Sequence, residues 1–266
     1  MFKTRLISGI ILLLITILTV AQGGILLLGV LWIVSLIGMS ELFHVFRIRQ
    51  NWLGLVGYII ATVYYIMLIV QNHESIAILS IIYLIVLMAV YVFTFPKVHT
   101  EQIMAAFFGL FYVAVMLSYI YQTRMLDNGK YLAWLVFLSA WGCDTCAYCV
   151  GMLFGKHKLA PKLSPKKSIE GGIGGIVGAA ILGGIYATVI NRMGDPDVSV
   201  ISYALICGVG GMISQVGDLA ASAIKRNHGV KDYGHLIPGH GGILDRFDSI
   251  IYTAPIIYYM AFYVLK

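Results

Sequence analysis

Apolar runs of 17 to 22 residues recur from one end of the chain to the other, separated by short polar breaks. None alternates with period two. Each is apolar on every side, which predicts helices rather than the strands of a barrel. A run of that length crosses a hydrocarbon layer of about 30 Å as a helix. The pattern predicts an all-α, polytopic integral membrane protein with about nine transmembrane helices: 6–22, 24–40, 53–71, 76–95, 103–121, 132–153, 171–190, 200–221 and 249–265. The first two are divided only by Gln22-Gly23-Gly24, so they read as a tight hairpin. Lys3 and Arg5 followed by Leu6 to Val20 resemble a secretory signal, but a second apolar run begins at once, and a retained first helix is expected. Residues 1–130 then form an N-terminal set of about five spans. Residues 131–266 form a C-terminal catalytic region with polar loops at 154–170 and 222–248.

Composition agrees with this reading. Sixty per cent of the 266 residues are hydrophobic, and the mean hydropathy is +0.90. Charged residues make up 11%, against roughly 25% in a soluble domain. The few basic residues are unevenly spread. With the N-terminus inside, the outside segments hold Arg124, Lys130, Arg192 and Lys266, and the inside segments hold the other fourteen of the 18. Positive residues favour the cytoplasmic side, so the expected orientation is N-terminus cytoplasmic and C-terminus outside. Both polar loops then face the cytoplasm, and the net charge of +6 draws them towards anionic head groups.

Cys143, Cys146, Cys149 and Cys207 lie on apolar segments. They read as small buried packing residues, not as a zinc or redox site, which needs thiolates in a polar setting. The seventh span opens with Gly171/Gly175 and Gly174/Gly178, two small-x-x-x-small pairs that allow close helix approach. These Gly-rich helices also suggest a homodimer.

Against so apolar a background the charged positions stand out. Asp144 sits inside a span, where a carboxylate is costly and must face the bundle interior or a watery cavity. Asp218 lies near the cytoplasmic end of the eighth span, and Asp245 and Asp248 open the ninth at i and i+3. Asp248 could simply cap its helix. Several carboxylates meeting at one membrane interface would repel one another without a cation, and hard oxygen donors suit Mg²⁺. In the 154–170 loop, Ser164-Pro-Lys166-Lys167-Ser-Ile-Glu170-Gly171 leads into a helix start, a natural anion site. In the last loop, Gly239, Gly241 and Gly242 flank His240, where backbone amides can approach a phosphate. Lys225, Arg226, Lys231 and Arg246 can neutralise its charge, and His240 can donate to a phosphate oxygen.

The run Ser222-x-Ile-Lys225-Arg226-x₄-Lys231-Asp232-x-Gly234-x₂-Ile237-Pro238-x-His240-Gly241-Gly242-Ile-x-Asp245-Arg246-Phe-Asp248 resembles the signature of the phosphatidate cytidylyltransferase (CDP-diacylglycerol synthase) family. Trp141-Gly-x-Asp144-Thr, Ser164-Pro-Lys-Lys-Ser-x-Glu-Gly and Gln215-x-Gly-Asp218 are similar to that family too. The resemblance covers about 141–250. It implies Mg²⁺-dependent transfer of CMP from CTP to phosphatidic acid, giving CDP-diacylglycerol and pyrophosphate in phospholipid biosynthesis. The expected setting is the cell inner (plasma) membrane, with the active site facing the cytoplasm. It implies that Asp218 and Asp245 hold the metal, with Asp144 and Asp248 as further ligands or orienting groups, and it leaves room for a second, monovalent cation such as K⁺. Lys166, Lys167, Lys225, Arg226, Lys231 and Arg246 would bind substrate phosphates. CTP, phosphatidic acid and membrane lipid are the expected partners, and nucleic acid is not. A transporter fits less well, because the polar residues cluster at one face rather than along a midplane path. A CDP-alcohol phosphatidyltransferase would carry an Asp-Gly dipeptide, and the chain has none. A related cytidylyltransferase acting on another lipid phosphate stays open.

Overall fold

The computed structural model describes residues 2–70, 75–194, 198–239 and 241–264. Among them the chain forms ten α-helices, one π-helical turn and a two-stranded hairpin. The first helices are α1 (Phe2–Gln22), α2 (Gly24–Val45), α3 (Trp52–Ile69) and α4 (Ser75–Thr94). Next come α5 (Thr100–Gly109), a π-helical turn (Leu110–Val115), α6 (Met116–Arg124) and α7 (Gly129–Phe154). The hairpin of β1 (Lys158–Ala160) and β2 (Ser164–Ser168) precedes α8 (Ile169–Arg192), α9 (Val200–Asn227) and α10 (Leu244–Val264).

Seven helical segments among the described residues are long and apolar enough to cross a membrane, with Thr100–Arg124 counted as one; α1 contributes a shorter apolar stretch, Ile7–Gln22. α10 is not among the seven, and its first five residues include Asp245, Arg246 and Asp248. Apolar side chains also point outward. Along α4, Ile78, Ile81, Ile85 and Val92 are exposed, the reverse of a soluble helix and what a hydrocarbon surround requires.

Two expected boundaries moved. The 154–170 segment is not a bare loop but pairs as an antiparallel hairpin, Lys158 with Ser168 and Ala160 with Ser164. The 222–248 segment is helical at both ends: α9 continues through Lys225 and Arg226 to Asn227, and α10 begins at Leu244. Basic residues suit the last turn of a helix, where unpaired carbonyls concentrate negative charge.

By packing, the chain divides into two compact units, residues 1–118 with 228–246 and residues 119–227 with 247–266. Several buried polar groups of the first unit pair with one another, as an apolar surround favours. Tyr64 and Ser118 share a hydrogen bond of 2.8 Å, Ser35 and Tyr65 one of 2.7 Å, and the Tyr83 hydroxyl donates to the Ala106 carbonyl at 2.8 Å. The α1–α2 break is as tight as the sequence suggests, with Gly23 and Gly24 at φ of 67° and 56°.

The second unit is built on α7, α8 and α9 packed on small residues. A Cβ on Gly178 would come within 2.5 Å of Cys146, and one on Gly174 within 2.6 Å of Val150. The glycines therefore bring α8 against α7 of the same chain. Cys143 and Cys207 are buried, as expected of packing residues, but Cys149 is exposed. It lies on the outer side of α7, so the packing reading does not extend to it.

Candidate active site

In the second unit, four elements carry the charged residues picked out by the sequence. Asp144 comes from α7, Lys167 from β2, Asp218 and Lys225 from α9, and Asp248 from α10. Lys167 forms an ion pair with Asp218, both side chains being about a quarter exposed (25% and 27%). The Asp248 carboxyl feels the charges of Asp218 and Asp144, which oppose its own ionisation, and that of Lys225, which favours it. Lys225 is buried, 8% exposed. The Ser222 hydroxyl lies one helical turn from Asp218 and donates to it at 3.5 Å. Beneath this group, Gln215 donates to the Gly172 carbonyl at 2.8 Å and to Cys143 Sγ at 3.3 Å, tying α9 to α8 and α7.

The β-hairpin explains how Lys167 is presented. Ser168 caps α8 by accepting a hydrogen bond from the Gly171 amide at 3.1 Å, the usual service of a serine in that position. Glu170 is engaged elsewhere. Its carboxylate accepts from the Lys156 and His157 amides at 3.1 and 3.2 Å and pairs with His157 Nδ1 at 2.6 Å. It fixes the segment after α7 to the start of α8. Ser164 and Lys166 lie on β2, with Lys166 exposed.

In the first unit, the 228–246 loop is held by two carboxylates. Asp245 Oδ2 accepts from the Tyr233 amide at 2.8 Å and the Gly242 amide at 2.9 Å. Glu41 of α2 accepts from the Ile243 amide through Oε1 at 3.0 Å and from the Leu244 amide through Oε2 at 2.8 Å. Ile237 and Gly241 form a bridge, their amide and carbonyl 2.9 Å apart, and Gly239 and Gly241 both take left-handed φ, 79° and 86°. Lys231, Asp232 and Arg246 are exposed. His240 lies outside the described residues.

Asp144, Asp218, Asp248, Lys167 and Lys225 thus belong to one unit, whereas Lys231, Asp232, Gly241, Gly242, Asp245 and Arg246 belong to the other. Arg226 is exposed on the last turn of α9. The residue missed by sequence reading is Glu41. The second predicted span stops at 40, but α2 runs on to Val45 and carries Glu41 inside it. The signal that could have found it is an acidic residue in an otherwise apolar run.

The second unit offers carboxylate oxygens, the donor type that divalent cations take. Three carboxylates (Asp144, Asp218 and Asp248) are electrostatically linked, and two lysines offset only part of their charge. Hard oxygen ligands of this kind suit Mg²⁺. Among the described residues, however, no group of three or more His, Cys, Asp or Glu side chains lies where it could hold a metal ion, and Asp218 is paired with Lys167.

The chain thus joins helices long and apolar enough to cross a membrane to a lysine–carboxylate pair carried by β2 and α9. The comparisons narrow this. The sequence model of the cytidylyltransferase family matches residues 3–264, and the chain belongs to that family. A phosphatidate cytidylyltransferase of Staphylococcus epidermidis is 35% identical over 260 residues, 96% of this chain and 97% of the relative. Those of Bacillus subtilis and Haemophilus influenzae are 37% identical over 169 residues and 41% over 138, covering 63% and 52% of this chain and 60% and 48% of theirs.

Proposed function

We propose that the protein transfers CMP from CTP to phosphatidic acid, forming CDP-diacylglycerol and pyrophosphate. The observation that carries this reading is the Lys167–Asp218 ion pair, in one unit with Asp144, Asp248 and Lys225, on a chain whose relatives of nearly equal length are phosphatidate cytidylyltransferases. A phosphatidate oxygen attacks the α-phosphorus of CTP. The bond from that phosphorus to the bridging oxygen breaks, and the electron pair leaves with pyrophosphate. The attacking phosphate monoester is largely ionised at neutral pH, so no side chain need remove a proton, in keeping with a site rich in charge and poor in base–nucleophile pairs. Lys167 and Lys225 bind and orient phosphate oxygens, and catalysis is mainly positioning and electrostatic stabilisation. Asp218, with Asp144 and Asp248, would hold Mg²⁺, which when bound neutralises charge on the phosphates. Asp245 as a further ligand, and a second cation such as K⁺, rest on the motif alone.

The same reading places nine helices across the cell inner membrane, N-terminus in and C-terminus out, with the charged loops in the cytoplasm where CTP is found. The distribution of Lys and Arg supports it. A homodimer would need a surface other than Gly174 and Gly178, which pack inside the chain. The test is purified protein in detergent with labelled CTP and phosphatidic acid, with and without Mg²⁺. Labelled CDP-diacylglycerol formed only with both substrates and Mg²⁺ is expected. No lipid-linked product, or equal product with EDTA, would overturn the proposal.

A further inference from the structure

Glu41 is a carboxylate that no motif explains. It lies on α2 with 9% of its surface exposed, amid an apolar helix whose hydropathy suits a membrane span. A carboxylate in such a place is costly unless its oxygens are satisfied. Both are: Oε1 takes the Ile243 amide at 3.0 Å and Oε2 the Leu244 amide at 2.8 Å. These amides open α10, where backbone donors have no partner within the helix and the helix dipole favours an anion. The next residues are Asp245 and Arg246.

The same two oxygens also lie hard against two glycines. A Cβ built on Gly242 would fall 2.4 Å from Glu41 Oε2, and one built on Gly234 would fall 2.5 Å from Glu41 Oε1. No real Cβ packs so closely. Two glycines of the signature loop are therefore accounted for by the approach of this one carboxylate, as well as by any approach of phosphate. Asp245 closes the arrangement from the other side by accepting from the Gly242 and Tyr233 amides. The loop is clamped between two carboxylates, one from its own chain segment and one about two hundred residues earlier.

We propose that Glu41 is a positioning residue of the active site, fixing the backbone at Gly234 and at Gly242 to Leu244 and, through the first turn of α10, the placement of Asp245 and Arg246. This rests on the cytidylyltransferase reading above. Glu41→Gln keeps the shape but offers one acceptor oxygen and one NH₂ to two amide donors, so one amide is left unpaired. Orienting partners of this kind typically change metal affinity or activity about 10- to 100-fold when lost. E41Q should lower kcat by about tenfold or more and raise the Mg²⁺ concentration for half-maximal activity by about threefold or more. Hydrogen exchange without metal or substrate should quicken at Ile243 and Leu244. Loss of folded protein alone would reduce amplitude and leave the Mg²⁺ dependence unmoved. Should E41Q fail to fold, Glu41→Asp, which keeps the charge but withdraws it by one methylene, carries the same test. A wild-type protein inactive with CTP and phosphatidic acid overturns the functional reading. An active wild type with a variant of equal kcat, Mg²⁺ dependence and exchange overturns the role of Glu41.

Discussion

Replacing Asp218 with Asn separates what that carboxylate does for the fold from what it does for the chemistry. The change is nearly isosteric and removes one negative charge. Its partners are Lys167 and, more weakly at 3.5 Å, the Ser222 hydroxyl; because both charged side chains are about a quarter exposed (27% and 25%), the ion pair contributes about 1 kcal/mol or less. The loss is further offset because the Asp218 charge opposes that of Asp248. The net effect on stability should therefore be about 0–1 kcal/mol, within a few degrees of the wild-type unfolding temperature. Activity should respond on another scale. A group that holds charge in place for the transition state is typically worth about 3–4 kcal/mol, or about 10²–10³ in kcat. The measurement is turnover of labelled CTP with phosphatidic acid across a Mg²⁺ titration, beside a thermal unfolding curve in the same detergent. A variant retaining more than about a third of wild-type kcat would refute the assignment of Asp218 to the reacting phosphates. So would one whose lost activity is matched by lost folded protein.

Lys167→Ala should weaken substrate binding more than it slows the chemical step, seen as a KM for CTP or phosphatidic acid raised about tenfold; unchanged KM values for both would count against a phosphate contact. Gly178→Ala places a methyl 2.5 Å from Cys146 and should cost about 1–3 kcal/mol by overpacking, measured as a lowered unfolding temperature in detergent. Arg47 holds a left-handed φ of 58° just after α2, where Ile48 N reaches the Phe43 carbonyl at 2.8 Å, the helix ending at which glycine is favoured. Arg47→Gly should raise stability by about 0.5–1 kcal/mol, after the entropy cost of glycine is set against the strain removed, and unfolding curves of the two proteins decide it.

What the sequence could carry was whatever depends on a residue's own neighbourhood. Unbroken apolar runs set the helices, since a backbone surrounded by apolar side chains must bond to itself, and within the described residues the runs fall on helical segments, with 103–121 divided among α5, the π-helical turn and α6. The α8 glycines were legible because their spacing aligns them on one face, and that face meets α7. Asp144, Asp218 and Asp248 were legible because charge in an apolar chain is conspicuous. Helix ends were less so: α9 keeps Lys225 and Arg226 within its last turn, because nothing local stops it before Gly229. What only the tertiary structure decided is which groups answer one another across long separations. Glu170 stands in a lysine-rich motif at a helix start, yet its carboxylate is spent on the Lys156 and His157 amides. Glu41 looks like nothing in its own segment and yet holds the amides of Ile243 and Leu244. A hydrogen bond depends on where two backbones are brought in space, and the chain records that only through the whole of its packing.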